Sequence, residues 1–208
     1  MRFVRLLIFF VMIAFLGIAL LIGTIKDKAE LAKPRGDLET MTEADFYDGR
    51  FVEGEIYELW DSYAYMEESD STFGIKHNTH ITAHYYALPI PALDEYKFVA
   101  LAISNTSKQT TADRLVSEVD EFFENGTIPD TTLKVEGTIT KLSGDVLGFL
   151  KEYAVKMGFE TDDVLAFVIN DGNTGSGSNG ALAIAIVLTI VGLGGTAFLI
   201  VRKVIAGR

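Results

Sequence analysis

The three histidines, His77, His80 and His84, fall within eight residues, and imidazole is the commonest protein ligand for transition metals. On a helix the spacing i, i+3, i+7 would bring all three to one face. The local run His80-Ile81-Thr82-Ala83-His84-Tyr85-Tyr86 is instead rich in residues that favour strands. On a strand His80 and His84 share one face and His77 takes the other. Two strand positions four apart are separated by about 13 Å, so a single ion would need ligands from elsewhere. The helix-borne pattern H-E-x-x-H is absent. His77, His80 and His84 are therefore weak metal candidates, and a solvated strand face is the simpler account.

Other chemistry-bearing patterns fare less well. Glu67-Glu68-x-Asp70 and Asp162-Asp163 pair carboxylates that could do acid/base work or hold a cation, but with 29 acidic residues such neighbours are expected by number alone. Gly175-Ser176-Gly177-Ser178-Asn179-Gly180 matches G-x-G-x-x-G formally. The helix it opens is fully apolar and no acidic residue follows to hold a ribose, so the run reads as a flexible Gly/Ser tether. Asp171-Gly172-Asn173 begins like a calcium loop but lacks the later glycine and glutamate. Tyr57, Trp60, Tyr63 and Tyr65 could form an aromatic binding platform, or equally core and cross-strand packing. With no P-loop, no G-x-S-x-G elbow and no cysteine, no catalytic residue is assigned and no cofactor is expected.

The elements that must carry these residues show through periodicity. Phe51–Leu59 alternates as a half-buried strand, Phe73–Ile90 is rich in Thr, Ile and Tyr and ends at Pro89-x-Pro91, and Lys97–Ile103 is a short buried run. Leu133–Leu142 and Val164–Ile169 complete five strands. One helix starts after Thr110 or Thr111, aligns Leu115, Val119, Phe122 and Phe123, and stops at Asn125-Gly126. A second opens at Asp145 and ends at Gly158. Thr42 caps a short acidic turn before the first strand. The segment Val52-Glu53-Gly54-Glu55-Ile56 echoes Val135-Glu136-Gly137-Thr138-Ile139, and a glycine inside a strand marks a bulge or tight bend. The expected fold is α+β: a small five-stranded, barrel-like sheet with two helices, flanked by two transmembrane α-helices. An open sheet with helices on one face is the alternative.

The ends decide the gross organisation. Leu6–Ile25 and Ala181–Val201 are uncharged runs of 20 and 21 residues, and an apolar helix of that length spans about 30 Å, the thickness of a bilayer's hydrocarbon core. The first run exceeds a signal-peptide core and lacks an A-x-A-like cleavage site. The chain then reads as a transmembrane helix over residues 1–25, a stalk over 26–49 and a soluble acidic domain over 50–170. A Gly/Ser-rich linker follows over 171–180, then a second transmembrane helix over 181–203 and a cytoplasmic tail over 204–208. Between the helices lie all 29 acidic residues and 13 basic ones, a formal charge of −16. That charge repels polyanions and argues against nucleic acid as a ligand. No Lys or Arg occurs in residues 157–180, while Arg202, Lys203 and Arg208 follow the second run. Both termini are accordingly expected in the cytoplasm and the domain outside it, in a cell membrane.

The succession of an N-terminal anchor, Phe51-Val52-Glu53-Gly54, Tyr85-Tyr86-x-Leu88-Pro89-Ile90, Val135-x-Gly137-x-Ile139-x-Lys141-Leu142 and a closing helix resembles a family of uncharacterised bacterial membrane proteins. Its members have two terminal transmembrane helices and an extracytoplasmic domain of unknown function. The resemblance covers nearly the whole chain and implies location and shape, without a known activity. Gly192, Gly194, Gly195 and Thr196 offer a small-residue surface on which the two spans can pack together or a homo-oligomer can form, through Gly192, Gly195 and Thr196. Neither span carries an internal charge, which argues for anchors rather than a transport path. The leading expectation is a double-anchored envelope protein whose domain binds or scaffolds a protein partner in the membrane or envelope. The alternative is an envelope hydrolase or metal-dependent enzyme built on His77, His80 and His84.

Overall fold

A computed structural model describes residues 2–72, 75–90, 96–173 and 178–206 of the 208-residue chain. It divides into two compact units, one of Pro34–Thr174 and one combining Met1–Lys33 with Gly175–Arg208.

The second of these is a helical pair. Helix α1 spans Arg2–Leu31 and helix α4 spans Ser178–Ala206; α2 and α3 lie between them in sequence. Within α1 and α4, Phe3–Leu31 and Gly180–Ile205 contain 18-residue windows with mean hydropathies of 3.0 and 2.5, and both are long and apolar enough to cross a membrane. Most of that apolar surface stands exposed, as at Phe15 (76%) and Ile190 (65%), unlike the core helix of a soluble protein. The helices run antiparallel with small residues at the seam. A Cβ placed on Gly192 would fall 2.3 Å from the backbone nitrogen of Ala14, one on Gly17 would fall 2.5 Å from that of Thr189, and one on Gly195 would meet the ring of Phe10. The ammonium of Lys203 lies 4.7 Å from the ring centre of Phe3. The hydroxyls of Thr24, Thr189 and Thr196 donate to carbonyls one turn back in their own helices, so no hydroxyl donor among these three is left for hydrocarbon to strand.

The other unit is built on one mixed sheet. Its strands are β1 (Gly36–Asp37), β2 (Phe51–Ile56), β3 (Ser62–Thr72), β4 (Ile75–Ile90), β5 (Lys97–Ile103), β6 (Leu133–Lys141) and β7 (Val164–Asp171), in the spatial order β1-β2-β6-β7-β5-β4-β3. This corrects the expected five-stranded, barrel-like sheet with two helices. Seven strands are present among the described residues, four α-helices accompany them, and the sheet is open. A barrel requires the first and last strands to pair, but β1 and β3 occupy opposite edges. The five expected strands all exist as β2, β4, β5, β6 and β7. Unforeseen were β1, only two residues long, and β3, whose polar sequence Ser-Tyr-Ala-Tyr-Met-Glu-Glu-Ser-Asp-Ser-Thr suits an edge that faces water.

The internal echo has a geometric meaning. Its two copies pair antiparallel with Val52 opposite Gly137, Glu53 opposite Glu136 and Gly54 opposite Val135. Neither glycine closes a barrel. A Cβ at Gly137 would fall 2.2 Å from the carbonyl oxygen of Asn170, and one at Gly54 would fall 3.0 Å from Leu38. Both allow a neighbouring segment to approach the strand.

Strand β5 is buried at every position from Phe98 to Ile103, as expected of a strand covered on both faces. It runs parallel to β7 and antiparallel to β4. Helix α2 (Thr106–Asn125) buries Ala112, Leu115 and Val119 and ends at Gly126, whose φ of 80° suits glycine. It starts about one turn earlier than the Thr110 or Thr111 expected, because Asn105 accepts the Lys108 amide and caps it. Helix α3 (Gly144–Lys156) buries Leu150 and Ala154. Before β2, the Asp45 carboxylate accepts from both the amide and hydroxyl of Thr42, closing the turn read from the sequence. Leu38, Met41 and Phe46 of this leading segment belong to the core.

Candidate functional site

Strands β5 and β7 lie side by side and end together. Strand β5 delivers the chain through Ser104 and Asn105 into the amino end of α2, and β7 delivers Asp171 beside it. The carboxyl ends of adjacent parallel strands, next to a helix amino terminus, are where open α/β sheets hold ligands. A cleft of about 650 Å³ occupies this position. Its walls include Ser104, Asn105 and Lys108 from the β5–α2 connection, and Asn170, Asp171 and Asn173 from the end of β7. Met66, Glu68, Thr82 and Tyr85 close it from the β3–β4 side.

The cleft has a fixed polar floor. Asp171 is 3% exposed, and both its oxygens accept from the Lys108 ammonium, at 2.7 and 2.8 Å. The Glu136 amide donates to the same carboxylate at 3.2 Å. Asn170 donates to the Thr140 hydroxyl at 2.8 Å and to the Thr138 carbonyl at 3.3 Å. The Thr138 hydroxyl in turn donates to the Asn173 carbonyl at 2.5 Å. Gly172, at φ +81°, lets the chain turn while its amide donates to the Glu136 carbonyl. The Asp171-Gly172-Asn173 run that began like a calcium loop is thus a turn locked by Lys108 and β6. Burial raises the pKa of the Tyr85 hydroxyl in the wall. What the arrangement offers is a preorganised set of donors and acceptors against an aromatic and a thioether, suited to holding a polar ligand rather than to attacking one.

The residues singled out from sequence are dispersed. His80 stands directly across from Glu68, and His84 across from Tyr65, on the β3–β4 pair. His84 lies nearly parallel to the Tyr86 ring at 6.2 Å. The side chain of His77 is outside the described residues. Among the described residues no three His, Asp or Glu side chains come together as a metal-binding group. Glu67 faces Ile81 across the strands, and the side chain of Asp70 is again outside the described residues. Asp163 pairs with Lys97 at 3.7 Å, while Lys97 also donates to the Asp162 carbonyl, so this acidic pair ties the turn before β7 to β5. Gly175, Ser176 and Gly177 lie outside the described residues, and Ser178, Asn179 and Gly180 form the first turn of α4. The aromatic group divides: Trp60 is buried and Tyr63 packs on the core, while Tyr57 and Tyr65 are more than half exposed.

None of the sequence candidates anticipated Asn105, Lys108 or Asn170. The available signal was local, an Asn two residues past a buried strand and directly before a helix, and the Thr-rich start of that helix obscured it.

The sequence profile of a family described as a domain of unknown function (DUF8577) matches residues 2–201. The chain belongs to that family. The match begins with α1 and runs well into α4, so it takes in both apolar helices and the sheet domain. Among curated proteins, none matches the chain.

Proposed function

We propose that the protein is a double-anchored envelope protein of a bacterial cell, with both termini in the cytoplasm and the sheet domain outside, acting as a binding module. The observation that supports the binding reading is the cleft at the paired ends of β5 and β7, with Lys108 held against the buried Asp171 as its floor. Sites of this shape and place retain ligands through a few oriented polar groups. The orientation rests on Arg202, Lys203 and Arg208 following the uncharged run Ala181–Val201, with no basic residue in residues 157–180 before it. The partner on this reading is a polar component of the envelope, or an exposed polar group of a neighbouring protein.

The test uses the full chain in detergent or nanodiscs. Its melting temperature is recorded with and without solubilised cell-wall fragments, for the native protein and for Glu68→Gln and Ser104→Ala, whose side chains line the cleft. A ligand that raises the native melting temperature and loses that effect in either variant supports the reading. An identical shift in all three proteins sinks it, and a shift lost only on His80→Ala with His84→Ala moves the site to the histidine strand. Protease added to intact cells checks orientation: cutting within residues 34–174 is expected, and protection there with cutting after lysis reverses the topology.

A further inference from the structure

The far end of α2 carries a second surface, unrelated to the cleft. Trp60 is 8% exposed, and its ring contacts Phe123 of α2 edge-on at 5.9 Å and Tyr96 at 6.3 Å. Those two outer rings are 59% and 52% exposed. Aromatic rings this open, resting on a buried tryptophan, form a patch that the fold itself does not need covered. Phe123 comes 15 residues after Lys108 of the cleft on α2, so this patch lies about 22 Å along the helix from it.

Carboxylates lie close to Trp60 and Phe123 along the chain. Asp61 follows Trp60 directly, and Asp120 and Glu124 share the adjacent side of α2 at i, i+4. All three are exposed, and none forms an ion pair among the described residues. The pKa of Asp120 is raised, first by partial burial and then by the charges of Asp61 and Glu124. Their position also works against the helix. The last turn of α2 has no basic residue, and acidic side chains at a helix carboxyl terminus face the negative end of its dipole. Local stability therefore does not explain this arrangement, whereas recognition of positive charge does.

We propose that the surface formed by Phe123, Tyr96 and Trp60 with Asp61, Asp120 and Glu124 docks a basic segment of a partner protein. Arg or Lys side chains would lie over the open rings while their charges meet the three carboxylates, combining cation–π and ionic attraction. The domain's charge of −16 repels anionic lipid and nucleic acid from the same surface.

The experiment titrates the full chain in neutral-lipid nanodiscs with a tetra-arginine peptide and with a tetra-glutamine peptide of equal length, by calorimetry. General attraction to an acidic domain is separated from a site by comparing Asp120→Asn with Glu124→Gln, and separately Phe123→Ala, against a control that removes two charges elsewhere, Glu55→Gln with Glu152→Gln. The arginine peptide is expected to bind at least tenfold more weakly to both patch variants than to the control. The charge-removing patch variant should also melt at a higher temperature than the native protein. A control that loses affinity as much as the patch variants, a Phe123→Ala that binds like the native chain, or equal binding of the glutamine peptide overturns the proposal.

Discussion

Glu53 and Glu136 stand directly opposite each other on β2 and β6, and the guanidinium of Arg35 donates to both carboxylates, at 2.8 Å to Glu53. Like charges placed opposite across an antiparallel pair repel. Here they become a shared acceptor for one cation, whose pKa is raised by its bonds to Glu136 and Glu53. Arg35 belongs to the segment entering the sheet domain, and Glu136 also donates its amide to Asp171, at the segment leaving it. Entry and exit of the domain are thus stitched to the same residue of β6.

Replacing Arg35 with Gln should lower the melting temperature of the sheet domain, and Arg35→Glu should lower it further by adding a third carboxylate. Glu53→Gln combined with Arg35→Gln should recover most of the loss, because the repulsion disappears along with the cation. A double variant as unstable as Arg35→Gln alone would show that Arg35 acts through something other than these two charges.

Two glycines should respond in opposite directions. Gly137→Ala places a methyl 2.2 Å from the Asn170 carbonyl oxygen, and the needed backbone shift should cost about 3 kcal/mol. Gly148, inside α3 with nothing within 4 Å of its Cβ position, should gain about 0.5–1 kcal/mol as alanine through helix propensity. Thermal melting of the two variants side by side checks both the sign and the contrast.

Acid stability should depend on Glu118. Bonds from the Thr131 hydroxyl and amide, then from Arg114, hold its pKa down from an ordinary 4.5 to about 2. Because the folded value is depressed, the contribution is present above pH about 4.5 and is lost as pH falls toward about 2. Glu118→Gln should therefore be less stable than the native chain at pH 7, with the difference shrinking as the solution is acidified through that window. A difference that stays constant between pH 7 and pH 2.5 would rule out the charged form as the stabilising one.

The helical pair can be tested by cross-linking, since the chain has no cysteine of its own. Cysteines introduced at Phe10 and Gly195, which abut in the antiparallel pair, should form an intramolecular disulfide in membranes. Gly17→Leu, which would drive a side chain into the Thr189 backbone, should abolish most of it. Cross-linked dimers in place of the intramolecular product would instead assign the small-residue seam to contacts between copies.

Lys108 and Asp171 are 63 residues apart in sequence, and nothing near either announces the other. Strand β3 was hidden for a related reason. Its Glu67, Glu68 and Asp70 are residue types that disfavour strands, and only pairing with β4 turns that stretch into an edge strand. The echo of Val52-Glu53-Gly54 in Val135-Glu136-Gly137 was visible, but whether it bends a barrel or pairs with itself is a question of partner and register.

By itself the sequence determined what depends on neighbours along the chain. The apolar runs near both ends, the period-two pattern of β2, the continuous apolar run of β5, and the Gly126 stop of α2 all follow from composition within a window of about 20 residues. Tertiary structure alone decided what depends on which distant segments meet: the open edge order of the sheet, the bridging of Glu53 and Glu136 by Arg35, and the cleft where β5 and β7 end together. The physical reason is that strand order and register are chosen by the burial of both faces at once. That is a property of the assembled sheet, and no single strand carries it.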